Sequence, residues 1–160
     1  MNPLEKIVGR LLIEHELTIA VAESCTGGLI AHRLTNVPGS STYFLGGVVA
    51  YSNQVKERVL EVSGKTLSVH GAVSEECARE MAHDVRRLLG TDIALSSTGI
   101  AGPTGGTPEK PVGLVYVALA AQDHERCERH LWQGDRLENK RQTCEAALEM
   151  LRQYLEARRP

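Results

Sequence analysis

No stretch of this 160-residue chain approaches the roughly 18 uninterrupted apolar residues that a membrane span needs. The opening Met1-Asn2-Pro3-Leu4-Glu5-Lys6 also lacks a charged-then-apolar signal pattern, so a soluble, cytoplasmic protein is expected. An excess of one charge sign is missing too. A net charge of -2 and a pI near 6.3 leave no global basic field, which argues against DNA or RNA as the main ligand. The cysteines at 25, 77, 127 and 144 contain no C-x-x-C pair, and the histidines at 15, 32, 70, 83, 124 and 130 form no H-E-x-x-H. Reduced thiols and no catalytic metal are therefore expected. G-x-x-x-x-G-K-[ST], G-x-G-x-x-G and G-x-S-x-G are absent as well, which excludes a P-loop, a dinucleotide fingerprint and the common hydrolase elbow.

What is present suits one compact domain over residues 1–160, with 42% hydrophobic and 24% charged residues. Leu4, Ile7, Val8, Leu11 and Leu12 recur at helical spacing behind Asn2, a cap candidate, and Pro3, so residues 3–16 read as a helix. Residues 18–22 form a short apolar run that ends in a polar, glycine-bearing turn before a helix over 29–34. Residues 43–51 read as a strand with a bulge at Gly46-Gly47, followed by a helix near 53–60. Ser74 caps a longer helix whose apolar stripe is Met81, Val85, Leu88 and Leu89 and whose stop is Gly90. Residues 93–97 make another buried strand that opens into the irregular, glycine-rich segment 98–107. Residues 113–121 and 126–133 read as a strand pair around 122–124, and a last helix over 137–157 buries Cys144, Ala147, Leu148, Leu151 and Leu155. This order predicts an α/β fold: a three-layer α/β/α sandwich with a mixed, mainly parallel sheet, antiparallel at the hairpin.

Two of these strands empty into small-polar, glycine-rich turns, and in open α/β sheets ligands collect at the carboxyl ends of strands. In Ser24-Cys25-Thr26-Gly27-Gly28, Ser24 is either a nucleophile or, with Thr26, an ordinary helix cap, while the turn's backbone N–H groups can hold an anion. Cys25 is either a small buried residue or a rival nucleophile. Ser52 and Lys56 stand one helical turn apart with Tyr51 just outside. Lys56 is either a surface charge or, if burial lowers its pKa, a base for a serine. Thr98, Gly99, Gly102, Gly105 and Gly106 suit a close backbone approach to a phosphate or ribose, or form a plain surface turn. Arg136, in Gly134-Asp135-Arg136, either grips a phosphate or pairs with an acid.

Taken in order, residues 22–28 (AESCTGG), 49–53 (VAYSN), 71–74 (GAVS), 98–103 (TGIAGP), 110–113 (KPVG) and 134–136 (GDR) resemble the CinA C-terminal (PncC) family from about residue 4 to residue 155. The resemblance implies a metal-independent, cofactor-free amidohydrolase that cleaves the carboxamide of nicotinamide mononucleotide to nicotinate mononucleotide and ammonia in pyridine nucleotide recycling, and that self-associates. It implies Ser24 as nucleophile of an acyl-enzyme, with Tyr51 and Lys56 as its activating pair. Substrate contacts fall to Cys25, Thr26, Gly27, Gly28, Thr98, Gly99, Gly102, Gly105, Gly106 and Arg136. Longer family members carry a further N-terminal domain, for which this chain is expected to have no room. One departure stands out: family members often have arginine where this chain has Lys140, which keeps the charge but loses the planar fork, although Arg141 is adjacent. A non-catalytic nucleotide-binding module and an amidase for another amide-bearing nucleotide are the competing readings.

Overall fold

The strands alternate large and small apolar residues, and that alternation builds the layers. A computed structural model describes residues 3–158. Its single five-stranded sheet has the order β2-β1-β3-β4-β5, with β1 Ile19–Glu23, β2 Phe44–Val49, β3 Ile93–Gly99, β4 Leu114–Ala121 and β5 Glu125–Leu131. Ile19, Val21, Ile93, Leu95, Val117 and Leu119 point to one face, where α1 (Leu4–Glu14), α2 (Leu29–Thr35) and α6 (Arg136–Ala157) cover them. The intervening Ala20, Ala22, Ala94, Ala118 and Ala120 face α5 (Glu75–Leu89), which answers with its own Ala78 and Ala82. Side chains alternate faces along a strand, so this spacing yields a bulky core on one side and a close, small-residue contact on the other. Ser96 uses that closeness, its Oγ donating to the Ala78 carbonyl at 2.6 Å.

The sheet is mixed. β1 pairs in parallel with both β2 and β3, while β3–β4 and β4–β5 are antiparallel. The order reverses direction at β1, and the carboxyl ends of β1, β2 and β3 therefore lie together at one edge of the molecule, beside the start of α6. A bulge is present in β2, but it lies just before the Gly46-Gly47 pair at which it is expected: Ile19 pairs with Phe44 and Ala20 with Gly46, so Leu45 is the extra residue. Its effect is visible in the packing. Phe44 lies against the α1/α2/α6 side and Val48 against the α5 side, although two residues four apart on an unbroken strand share a face.

Several boundaries shift. Pro3 is the N-cap of α1 rather than a helical residue, and Asn2 lies outside the described residues. Tyr43 is not in the strand. It is fully buried, its hydroxyl donates to the Leu34 carbonyl at 2.8 Å, and a Cβ on Gly9 would stand 2.9 Å from that hydroxyl. Thr98 and Gly99 are strand rather than loop, because Tyr116 and Val115 of β4 pair with them. Leu88 is 49% exposed and so falls off the α5 core stripe that Met81 and Val85 occupy. Two short helices, α3 (Asn53–Arg58) and α4 (Gly64–Val69), precede α5, and nothing in the apolar spacing signals α4. The ends of α5 are as expected: Ser74 Oγ accepts from the Cys77 N–H at 3.2 Å, and Gly90 takes the left-handed conformation at φ 64°. Among the described residues, no helix is long and apolar enough to cross a membrane.

Candidate functional site

β1 delivers residues 24–28 to the carboxyl edge, and the turn there is not held as a serine-capped helix start. Gly28 is the N-cap of α2 with φ 101°, a conformation that favours glycine, and it has no side chain to cap with. The Glu23 carboxyl group takes over that duty, accepting from the Ile30 N–H at 2.8 Å and the Ala31 N–H at 3.0 Å. Thr26 turns inward, its hydroxyl 2.6 Å from both Glu23 Oε1 and Ser97 Oγ. Neither Ser24 nor Thr26 caps the helix, and the Ser24 hydroxyl is left for another partner.

That partner is Lys56. The β2 strand and the first turn of α3 carry its side chain back under the turn. Its Nζ lies 3.1 Å from Ser24 Oγ, 2.9 Å from the Ala50 carbonyl and 3.4 Å from the Tyr51 carbonyl. Lys56 is 1% exposed and Ser24 8% exposed. Burial pushes the Lys56 ammonium below the ordinary lysine range, because removing it from water penalises the charged form. The remaining neighbours are polar but uncharged: two carbonyls that can only accept, and one hydroxyl that can donate or accept. A neutral amine, with two N–H bonds and one lone pair, matches that set. Ser52, one turn before Lys56, instead caps α3 by accepting from the Val55 N–H at 3.1 Å.

Tyr51 contributes its carbonyl to Lys56, while its phenol points elsewhere. The ring is 57% exposed and its hydroxyl accepts from Arg136 Nη2 at 2.8 Å, as the Gly102 carbonyl accepts from Nη1 at 2.8 Å. Arg136 thus joins the start of α6 to the ends of β2 and β3 and pairs with no carboxylate among the described residues. It forms one wall of a cleft of about 410 Å³ whose other lining is mainly apolar, including Pro103, Val112 and Leu137. A hollow of about 420 Å³ lies at the opposite end of the sheet, but its Asp123 is occupied by Tyr154 and Arg158. Ser24, Lys56, Tyr51 and Arg136 all gather at the carboxyl edge.

The glycine-rich candidates divide. Gly102 is buried, with φ 88° and Val112 against the place a Cβ would take, and the cis Gly102–Pro103 bond follows it. Gly105 and Gly106 are exposed. Gly99 packs against Val115, and the Thr98 hydroxyl is spent on the Ala72 carbonyl at 2.7 Å. In the turn, the Gly27 N–H is taken by the Ser24 carbonyl at 3.0 Å. Burial pushes the Cys25 thiol up to about 12, far from a thiolate at neutral pH.

Neither Glu23 nor Asn139 is singled out by the sequence, whereas Lys140 is, as a departure from the family pattern. Glu23 looks like one more polar residue of the turn. Asn139 is 1% exposed and ties two loops together, donating to the Ala101 carbonyl at 3.0 Å and accepting from the Gly134 N–H at 3.0 Å. Lys140 reaches the serine turn, its Nζ 3.5 Å from the position of a Cβ on Gly27, whereas Arg141 is held by Glu138 at 2.9 and 2.7 Å. Among the described residues, no group of three His, Cys, Asp or Glu side chains could hold a metal ion.

Known proteins resemble this chain over nearly its whole length. The CinA C-terminal domain model matches residues 1–155. A CinA-like protein of Citrifermentans bemidjiense is 57% identical over 149 residues, covering 93% of this chain and 36% of its own length. A putative competence-damage inducible protein of Moorella thermoacetica is 51% identical over 156 residues, 98% of this chain and 38% of its own. This chain therefore spans little more than a third of those relatives. Among crystal structures, the competence damage-inducible protein A of Klebsiella pneumoniae superposes with a TM-score of 0.93 at 34% identity, covering 99% of this chain and 100% of that one. The competence/damage inducible protein of Agrobacterium tumefaciens gives 0.90 at 39% identity, with 98% of each covered. The chain belongs to the CinA C-terminal domain family.

Proposed function

We propose that the chain is an amidohydrolase that converts nicotinamide mononucleotide to nicotinate mononucleotide and ammonia through an acyl-enzyme on Ser24. The observation that supports this best is the buried Lys56 amine 3.1 Å from Ser24 Oγ, with its pKa depressed and no carboxylate paired to it among the described residues. A lysine in such surroundings gives up its proton more readily than an exposed one and, once neutral, can take the proton of an adjacent hydroxyl.

The reaction then runs in two halves. Ser24 Oγ attacks the carboxamide carbon while its proton passes to Lys56 Nζ. The new C–O bond makes a tetrahedral oxyanion, for which the N–H groups of Thr26 and Gly28 are the available donors, the Gly27 N–H being committed inside the turn. Lys56 passes the proton to the amide nitrogen, the C–N bond breaks and ammonia leaves. Water repeats the attack on the ester carbon, gives its proton to Lys56, and Ser24 recovers it as nicotinate mononucleotide departs.

The exposed phenol of Tyr51, held by Arg136, suits contact with the substrate, which leaves Lys56 as the proton carrier. Arg136 and Lys140, four residues apart on α6 and free of carboxylate partners among the described residues, suit a phosphate-bearing substrate. Incubation of the purified, chelator-treated protein with nicotinamide mononucleotide, followed for ammonia and nicotinate mononucleotide, tests the reading. Matched release of both products that is lost in folded Ser24→Ala and Lys56→Ala supports it. Well-folded wild type that releases neither overturns it in favour of a binding module or another amide substrate.

A further inference from the structure

We infer that Glu23 is a positioning residue for the Ser24–Lys56 pair, holding both partners from the end of β1. The inference rests on the reading of Ser24 as nucleophile.

A short helix is ordinarily capped by a serine, threonine, aspartate or asparagine at its own N-cap. Here that position is Gly28, and a fully buried carboxyl group reaches forward from the preceding strand instead. Withdrawing such a group from water is costly unless its lone pairs are met. Three donors meet them: the Ile30 and Ala31 N–H groups and the Thr26 hydroxyl. Because Thr26 spends its only proton on Glu23, the 2.6 Å contact between Thr26 and Ser97 must be a donation from Ser97. The chain of hydroxyls therefore runs in one direction, from Ser97 through Thr26 to Glu23. It clamps the two ends of the segment that carries Ser24 to each other and to β3.

The main chain of the same residue holds the other partner. The Glu23 carbonyl accepts from the Ala50 N–H at 2.8 Å, and the Ala50 carbonyl accepts from Lys56 Nζ at 2.9 Å. Ser24 is fixed next door, its N–H donating to the Ser97 carbonyl at 2.9 Å. Nucleophile and base thus hang from residue 23 by separate arms. Glutamine there keeps one acceptor oxygen but turns an N–H donor toward the Ala31 or Ile30 N–H, so the turn must relax and Ser24 Oγ must move.

The test uses the whole chain, a fluorophosphonate that labels reactive serines, and hydrolysis of nicotinamide mononucleotide in parallel. Glu23→Gln is expected to fold and to label at Ser24 to the same final stoichiometry as wild type, but roughly tenfold to hundredfold more slowly, with kcat reduced alike and KM within about twofold. Labelling at the wild-type rate overturns the inference. So does a reduced labelled fraction whose members still react at the wild-type rate, since that describes a merely structural role. If Glu23→Gln does not fold, Thr26→Val removes the middle hydroxyl of that chain, and slower labelling at full stoichiometry is the supporting result while an unchanged rate is the overturning one. Wild type that labels at Ser24 but releases no ammonia from the nucleotide overturns the proposed substrate and leaves the positioning role to be decided by the labelling rates.

Discussion

The amine of Lys56, on the helix that follows β2, lies 3.1 Å from the hydroxyl of Ser24, across 32 residues of chain. If these two act as one unit, Ser24→Ala and Lys56→Ala should each lower kcat on nicotinamide mononucleotide by about 1,000-fold or more, and the double variant should be no worse than the poorer single one. Steady-state ammonia release measures all three. Multiplying losses in the double variant would mean that the residues act separately.

Depression of the Lys56 pKa places the acid limb of the activity profile. Activity should rise with pH as Lys56 loses its proton, with a midpoint below the ordinary lysine value of about 10.4. A profile of kcat/KM against pH for wild type reads this directly. A limb at the ordinary lysine position would show that the amine is solvated in solution.

The same group links stability to pH. The folded pKa lies below the unfolded one, so the unfolded chain binds the extra proton in the window between them, and stability rises with pH there. Below the folded pKa the penalty is complete, and above the unfolded pKa it is gone. Lys56→Met removes this contribution, while the buried thiols are common to both proteins. The Tm of Lys56→Met relative to wild type should therefore fall as pH rises toward the ordinary lysine value of about 10.4. A constant difference by calorimetry would refute the assignment.

Cys25 sits next to Ser24 with a thiol held near 12, so it should behave as a packing residue. Cys25→Ala should retain kcat within about tenfold, and iodoacetamide at pH 7.5 should leave Cys25 unmodified by mass spectrometry. Activity lost in Cys25→Ala but kept in Ser24→Ala would exchange their roles.

Lys140 stands over the serine turn and Arg141 is engaged with Glu138, which separates two neighbouring cations. Lys140→Met should raise KM for nicotinamide mononucleotide roughly tenfold to hundredfold, as expected for one charge-assisted contact, and should leave any slow turnover of the phosphate-free nucleoside unchanged. Arg141→Ala should change neither by more than about twofold. Equal effects of Lys140→Met on both substrates would show that the lysine does not meet the phosphate.

Much of the fold was legible because its signals are local. The Ser74 cap, the Gly90 stop and the buried positions of α6 depend on spacing within one helix, and the layered α/β/α order follows from alternating elements. The helix α4 and the end of β3 were not legible, since the first has little apolar periodicity and the second exists only because β4 pairs with Thr98 and Gly99. In the site, the motif carrying Ser24 was visible, but its contact with Lys56 depends on how β2 returns beside β1. Glu23 acts through a packed turn, Asn139 through a partner 38 residues away, and Lys140 reaches a turn 113 residues away, and no spacing rule reports such contacts.

The extra residue at Leu45 is absorbed by the bulge rather than passed along β2: Phe44 stays beside Ile19 on one face and Val48 beside Ala22 on the other. A chain without Leu45 would pair with β1 as a plain ladder, and Ala50 and Tyr51, which supply carbonyls to Lys56 and a phenol to Arg136, would still arrive at the carboxyl edge facing as they do. The bulge therefore works as slack in a cable, and a residue lost there is taken up before the change reaches the site.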